Sequence, residues 1–155
     1  MNIVVRIGTI AASFALLPLA ACDTAPKAPE VAVSEAWVRL PAVAGRPGAA
    51  YFTLTSNGAP TKLVSVTSPD VERIELHDSM SEGGMMKMAP LTDTAFPADG
   101  KMEFAPGGKH AMLFGIDPKI QPGGKIRLTF TFDPAPAVTA EAEARAAGDP
   151  GHSGH

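Results

Sequence analysis

The sequence has a single cysteine, Cys22, so it cannot form an intramolecular disulfide. It also has one tryptophan and one tyrosine, and its 16 acidic residues outnumber its 13 lysines and arginines. A fold without disulfides depends on its apolar core for stability. A chain without a basic excess lacks the electrostatic footprint of nucleic-acid binding, so we expect no nucleic-acid partner.

Beyond the N-terminus the sequence has no long apolar run. The run from Ile7 to Ala21 is shorter than the roughly 20 apolar residues that a membrane-spanning helix needs, and it follows one basic residue, Arg6. This pattern is typical of a secretory signal. Export would place the protein in an oxidising compartment.

The end of this segment, Leu19-Ala20-Ala21-Cys22, resembles a bacterial lipobox. In that motif the cysteine is acylated and becomes the first residue of the mature protein. The alternative is a plain cleaved signal with an incidental cysteine. Asp23 resembles the residue that retains lipoproteins in the inner membrane. The motif therefore predicts a periplasmic protein that is lipid-anchored to a bacterial membrane, and Asp23 makes the inner membrane one candidate for it.

The composition divides the chain into four regions. We predict a lipoprotein signal peptide over 1–21, then lipidated Cys22 and a Pro- and Ala-rich tether over 22–32. The folded domain is expected over 33–147, and a disordered tail with histidines over 148–155. Removal of the signal leaves 12 basic against 16 acidic residues, a net charge of −4.

Short alternating runs separated by Gly, Pro, Asn and Asp predict an all-β fold, an antiparallel sandwich or barrel of about eight to nine strands. Residues 125–132 alternate most clearly between apolar and polar side chains. Residues 137–145 alternate alanine with charge, which favours an edge strand. The predicted strands are 35–40, 49–56, 61–68, 71–78, 85–90, 101–105, 109–116, 125–132 and 137–145.

Two kinds of glycine turn punctuate the strands. The sequence Pro-Gly-Gly-Lys occurs at 106–109 and again at 122–125. In each copy the proline suits the second position of a type II turn and the first glycine suits the third, where φ is positive. Gly83-Gly84 predicts a tight hairpin between the strands at 71–78 and 85–90.

Methionines concentrate in the segment "HDSMSEGGMMKM", residues 77–88, which holds four of the seven in the chain. His77 ends one predicted strand, and Met88 lies on the next. His110 and Met112 are two residues apart on a later strand, so their side chains leave the same face of the sheet. We expect two imidazoles and at least two thioethers to converge.

This set of ligand types favours copper. Thioether sulfur is soft and uncharged, so it selects Cu(I) over harder metal ions, and imidazole also suits copper. Zinc is more often bound by thiolate, histidine or carboxylate groups. A lone Met on a strand is more often core filler, and we assign Met102 to the core for that reason.

The spacing H-x10-M-x21-H-x-M over His77, Met88, His110 and Met112 resembles the motif of the PCuAC-type periplasmic copper(I) chaperones. The resemblance extends from about Val33 to Arg145. It implies a cupredoxin-like Greek-key β-sandwich with these four residues as Cu(I) ligands. It also implies transfer of Cu(I) towards cytochrome c oxidase, to an oxidase subunit or a Sco-type protein.

One position departs from that family, because Asp78 follows the first histidine where many members have methionine. We expect either an auxiliary thioether set or orientation of the His77 ring by Asp78. The auxiliary candidates are Met80, Met85 and Met86, and in the tail His152 and His155. The tail histidines are either a solvated end or a second, weaker Cu(II) site.

Four other functions compete with copper delivery. A blue-copper electron carrier needs a cysteine thiolate beside its histidines, and Cys22 lies at the predicted lipid anchor. An enzyme is not expected, because neither a nucleophile arrangement nor an acid pair with interpretable spacing is visible. Copper sequestration would use the same site without transfer. A lipid-anchored structural β-sandwich would have no metal role.

Overall fold

The computed structural model describes residues 30–149, and ten β-strands account for its regular structure. Within those residues no helix is long and apolar enough to cross a membrane. The strands are β1 (Glu30–Arg39), β2 (Gly48–Asn57), β3 (Thr61–Thr67), β4 (Val71–Glu82), β5 (Met85–Pro90), β6 (Ala95–Phe96), β7 (Lys101–Phe104), β8 (His110–Ile116), β9 (Lys125–Asp133) and β10 (Val138–Arg145).

The strands form one hydrogen-bonded sheet in the order β5-β4-β8-β2-β1-β10-β9-β3-β6. β2 changes partner along its length: residues 48–50 pair with β8 and residues 52–55 pair with β7. All strand pairs are antiparallel except β1 with β10, which is parallel. The all-β prediction is confirmed, and the one parallel pair corrects the expectation of a wholly antiparallel sheet.

The core shows that the sheet folds back on itself. The Phe52 ring stacks on Phe104 with centroids 4.3 Å apart, and its edge meets Phe130 at 4.8 Å. Phe130 lies on β9, which is separated from β2 by two other strands in the hydrogen-bonded order. Only a curled sheet brings these rings together, and all three are buried. Met102 is buried in the same core, as predicted.

Strand β10 is not an edge strand, contrary to the expectation for residues 137–145. It lies between β1 and β9. Ala142 and Ala144 face the core and are fully buried, whereas Glu141 and Glu143 face outward and form ion pairs with Lys125 and Arg145. Charge on alternate residues therefore marks the solvent face of an interior strand. The two-residue strand β6 was missed because so short a run has no detectable alternation.

The region boundaries need one adjustment at each end. β1 begins at Glu30, so residues 30–32, which we assigned to the tether, pair with β2 instead. Gly148 and Asp149, assigned to the tail, lie in a turn in which the Asp149 amide donates to the Ala146 carbonyl at 3.0 Å. The predicted signal peptide, Cys22 and residues 150–155 of the tail lie outside the described residues.

Candidate metal site

The two histidines of the folded region are direct cross-strand partners. His77 on β4 is in register with His110 on β8, and their ring centroids are 6.0 Å apart. Alternate residues of both strands point to the opposite face, where Ile74, Leu76, Ala111 and Leu113 pack into or against the core. The imidazoles therefore project from the outer face of the sheet, and the core packs against the opposite face of the same two strands.

Both predicted thioether ligands share that outer face. Met112 lies two residues beyond His110 and pairs with Glu75 on β4. Met88 on β5 pairs with Ser79, which places it diagonally next to His77. The hairpin closes through Gly83 and Gly84, whose φ values of 61° and 79° fit the two-residue turn predicted for them. The structure thus brings all four predicted residues to one region.

A surface cavity of about 320 Å³ opens at this region. Met88, His110 and Met112 line it together with Arg39 and Tyr51, whereas His77 is not among its lining residues. His110 is only 5% exposed, whereas Met88 is 55% exposed. The arrangement has a buried imidazole at its base and a solvent-accessible thioether at its rim.

The first Pro-Gly-Gly turn positions His110. Gly107 has φ 86°, as a type II turn requires at its third position, and the Gly108 amide donates to the Ala105 carbonyl at 3.0 Å. The Gly108 carbonyl then accepts a hydrogen bond from His110 Nδ1 at 2.9 Å and another from the Ser79 amide at 3.2 Å. The turn therefore connects β4 with β8 and orients the His110 ring.

His77 is oriented by a carboxylate on its own strand. Its Nε2 lies 3.2 Å from Oε2 of Glu75, while Oε1 of Glu75 lies 3.2 Å from the Arg73 guanidinium. The other ring nitrogen, His77 Nδ1, is buried without a hydrogen-bond partner. When the ring proton is on Nε2, the buried Nδ1 has a lone pair that is available to a ligand.

Asp78, which we considered as the residue orienting His77, makes a different contact. Its carboxylate lies 3.7 Å from the Lys109 ammonium. Because successive side chains of a strand alternate, Asp78 faces away from His77, whereas Glu75 faces the same way. Sequence reasoning missed Glu75, although its position two residues before His77 on a predicted strand was the signal that could have found it.

The auxiliary methionines do not surround the site equally. Met86 pairs with Ser81 and shares the outer face with Met88, whereas Met80 pairs with Lys87 on the opposite face of the hairpin. Met85 lies beside the turn. All three are more than half exposed, so neither Met85 nor Met86 contributes to the core. His152 and His155 lie outside the described residues.

An aromatic and cationic wall next to the cavity was also missed. The Trp37 and Tyr51 rings lie 4.5 Å apart, Arg145 stacks on Trp37 at 4.9 Å, and Arg39 donates a hydrogen bond to the Tyr51 hydroxyl. Burial raises the pKa of Tyr51, and the Arg39 guanidinium opposes that rise. Trp37 therefore packs on the outer face, and its contacts involve residues too distant in sequence for a local pattern to show.

The donor atoms determine what this site can do chemically. Among residues 30–149, no group of three or more His, Cys, Asp or Glu side chains is arranged to hold a metal ion. The four candidates instead combine two imidazoles with two thioethers, all uncharged when the imidazoles are neutral. Such a set suits a soft monovalent ion such as Cu(I).

Residues 31–144 match a protein-family model described as "Putative lipoprotein LpqE-like". A related protein of Leifsonia xyli subsp. xyli (strain CTCB07), named "Putative lipoprotein Lxx21020", is 31% identical over 115 residues. That alignment covers 73% of this chain and 68% of the relative.

Solved PCuAC domains share the fold. The copper-bound PCuAC domain from PmoF2 superposes with a TM-score of 0.60 at 23% identity, covering 75% of this chain and 92% of that one. Apo-DR1885 from Deinococcus radiodurans gives 0.56 at 26% identity, covering 94% and 97%, and CuI-DR1885 gives 0.57 at 24%, covering 81% of each. With a family match over most of its length and this cupredoxin-like sheet, the chain belongs to the LpqE-like family and has the fold of PCuAC domains.

Proposed function

We propose that this protein binds one Cu(I) ion through His77, Met88, His110 and Met112 and delivers it to an acceptor protein. The observation that carries the proposal is the cross-strand pair of histidines, with one thioether beside each, on one outer face of the sheet. The neighbouring solved structures, which include a copper-bound PCuAC domain and CuI-DR1885, support the choice of metal.

The ligand atoms fit Cu(I) as a cargo. The unpartnered Nδ1 of His77 is buried, so an ion bound there would satisfy a group that otherwise lacks a partner. Two neutral imidazoles and two thioethers leave the ion its single positive charge. Thioethers favour the monovalent state, whereas Cu(II) prefers nitrogen and oxygen ligands in a tetragonal arrangement.

The uneven exposure of the ligands supports delivery to a partner. His110 is buried, but Met88 projects into solvent from an edge strand. An acceptor can displace the exposed thioether first and take the ion by stepwise ligand exchange. A blue-copper centre would require a cysteine thiolate, and the only cysteine is Cys22, far from these strands in sequence.

The family description supports an exported lipoprotein. We propose that Cys22 is acylated after cleavage of residues 1–21 and anchors the domain in the periplasm at the inner membrane. Replacement of Cys22 by Ser should move the protein from the membrane fraction to the soluble fraction. Retention of the variant in the membrane fraction would contradict the anchor.

Copper binding is tested by anaerobic competition of the full chain against a chromophoric Cu(I) chelator. The test variant is Met88→Leu/Met112→Leu, because leucine conserves volume and removes sulfur. The control is Met80→Leu, on the opposite face of the hairpin. We expect one tight Cu(I) per wild-type and control chain and a large loss in the double variant. Equal binding by all three would contradict the proposed ligands.

Delivery is separated from sequestration by transfer to an acceptor. By resemblance, the acceptor is a cytochrome oxidase subunit or a Sco-type protein. Mixing the loaded protein with an apo acceptor in the presence of excess chelator should move copper directly to the acceptor. Copper that stays with this protein, or reaches the acceptor only through the chelator, would favour sequestration.

The C-terminal tail is a second proposed copper site. Ala147, the residue that precedes the predicted tail, lines the same cavity as Met88 and Met112. We propose that His152 and His155 bind Cu(II) weakly. Deletion of residues 150–155 should remove weak Cu(II) binding and preserve the Cu(I) site. Unchanged Cu(II) binding after deletion would contradict this second site.

A further inference from the structure

We propose that Glu75 is a positioning residue that makes His77 bind through Nδ1 while His110 binds through Nε2. The inference rests on the proposed Cu(I) site and adds which nitrogen of each ring binds the ion and which residue imposes that choice. The two histidines face each other across β4 and β8. Their hydrogen bonds nevertheless engage opposite nitrogens of the ring, Nε2 in His77 and Nδ1 in His110.

The two acceptors determine where each proton resides. A backbone carbonyl only accepts, so His110 Nδ1 must carry the hydrogen that it donates to Gly108. An ionised carboxylate also only accepts, so His77 Nε2 must carry the hydrogen directed at Glu75. In the neutral rings, the lone pair therefore lies on Nε2 of His110 and on Nδ1 of His77.

Glu75 is itself held in place on two sides. Its second carboxylate oxygen lies 3.2 Å from the Arg73 guanidinium, and that guanidinium stacks over the Phe114 ring at 4.3 Å. Arg73, Glu75 and His77 are alternate residues of β4, so the strand aligns all three on one face. The ion pair with Arg73 therefore favours the orientation in which the carboxylate meets His77.

The second ring nitrogen of His77 gives a separate line of support. His77 Nδ1 is one of only two buried side-chain nitrogen or oxygen atoms without a partner among the described residues. Because Glu75 engages Nε2, Nδ1 is the nitrogen left for the ion. A carboxylate behind a ligating histidine also fixes its ring and raises its basicity.

The experiment reads the tautomers of the ¹⁵N-labelled full chain by long-range ¹H–¹⁵N correlation at about pH 8, where neutral imidazole dominates. The same samples are then titrated with Cu(I) against a chelator. The variants are Glu75→Leu, which removes the acceptor, and Glu75→Gln, which keeps a carbonyl oxygen in place. The control is Glu103→Leu, because Glu103 is likewise paired with the residue two positions before it, Lys101, on a strand away from the site.

We expect the wild type and the control to show a proton on Nε2 of His77 and on Nδ1 of His110. Glu75→Leu should lose the His77 preference, keep that of His110 and bind Cu(I) about 10- to 100-fold more weakly. Glu75→Gln should retain the His77 tautomer and bind Cu(I) with an affinity between those of the wild type and Glu75→Leu. The His110 resonances also report whether each variant is folded.

Two results would overturn the inference alone. One is a wild type with its His77 proton on Nδ1, and the other is a Glu75→Leu variant with unchanged tautomer and Cu(I) affinity. A different failure belongs to the proposed function. If the wild type binds no Cu(I) although the tautomers are as expected, copper binding is wrong and the ligand assignment is overturned with it.

Discussion

Strands β5 and β7 carry the same residue types with opposite outcomes. Each is short, and each has a methionine next to a lysine. On β7, Met102 is 8% exposed and packs in the core, because β7 pairs with β2, whose neighbouring residues Phe52 and Leu54 are themselves buried. On β5, Met88 is 55% exposed, because β5 is the edge strand of the sheet and pairs only with the end of β4.

The comparison shows what distinguishes a structural methionine from a binding one. Met102 is packed in the apolar core, so its sulfur is replaceable by an apolar side chain of similar volume. Met88 has a histidine diagonal to it and solvent above it, so its sulfur is the feature that matters. We therefore expect stability and copper affinity to respond to different methionines.

The largest effect is expected on stability. Met102→Ala should lower the free energy of unfolding by about 2–5 kcal/mol, because it removes buried volume and leaves a cavity. Met88→Ala should change it by no more than about 0.5 kcal/mol, as for other exposed positions. Urea unfolding of the metal-free protein measures both. Similar losses of stability for the two variants would contradict the exposed position of Met88.

Copper affinity should reverse that ranking. Met88→Leu should weaken Cu(I) binding at least about tenfold, roughly 1.4 kcal/mol, because it removes a ligand and keeps the volume. Met102→Leu should leave the affinity unchanged. Anaerobic chelator competition measures both variants. Weaker Cu(I) binding in Met102→Leu than in Met88→Leu would break the distinction between the two strands.

A smaller effect sharpens the comparison within the hairpin. Met86 lies on the same face as Met88, two cross-strand pairs nearer the turn, whereas Met80 lies on the opposite face. Met86→Leu should slow Cu(I) transfer by about threefold, roughly 0.7 kcal/mol, because an exposed thioether next to Met88 can share the departing ion. Met80→Leu should transfer at the wild-type rate. Stopped-flow transfer that is equally slow in both would indicate a general effect of the hairpin.

The smallest effect concerns the wall next to the cavity. Burial raises the pKa of Tyr51, so the folded protein holds the phenol proton more tightly than the unfolded chain does. Stability is then complete below the unfolded value of about 10 and falls as pH rises through the folded pKa. Tyr51→Phe should lack this alkaline component, as measured by urea unfolding over an alkaline pH series. An identical alkaline decline in both proteins would contradict it.

The sequence allowed most of the fold to be predicted, because alternation and glycine turns are local signals. Nine of the ten strands were expected, and β5 was given its observed bounds. The type II turn at Gly107 and the hairpin at Gly83-Gly84 also formed as expected. The interior position of β10 was not predictable, because charge on one face looks the same on an edge strand and on a central strand with an exposed face.

The site was predictable only in part for the same reason. The sequence spacing identified His77 and His110 as candidate ligands, and the pairing of β4 with β8 places them opposite each other. Which carboxylate touches His77 depends on the direction of each side chain, and adjacency in sequence pointed to Asp78 when alternation favours Glu75. The packing of Trp37 against Tyr51 and Arg145 depends on pairings across three strands, which no local pattern encodes.

The central claim is that two imidazoles and two thioethers bind a single Cu(I) ion. Copper K-edge X-ray absorption of the full chain loaded with one equivalent of Cu(I) tests it most directly, because nitrogen and sulfur neighbours lie at distinct distances from copper. We expect a mixed shell of nitrogen and sulfur neighbours, whose sulfur component falls by about half in Met88→Leu. A shell of nitrogen and oxygen alone, or one unchanged in that variant, would contradict it.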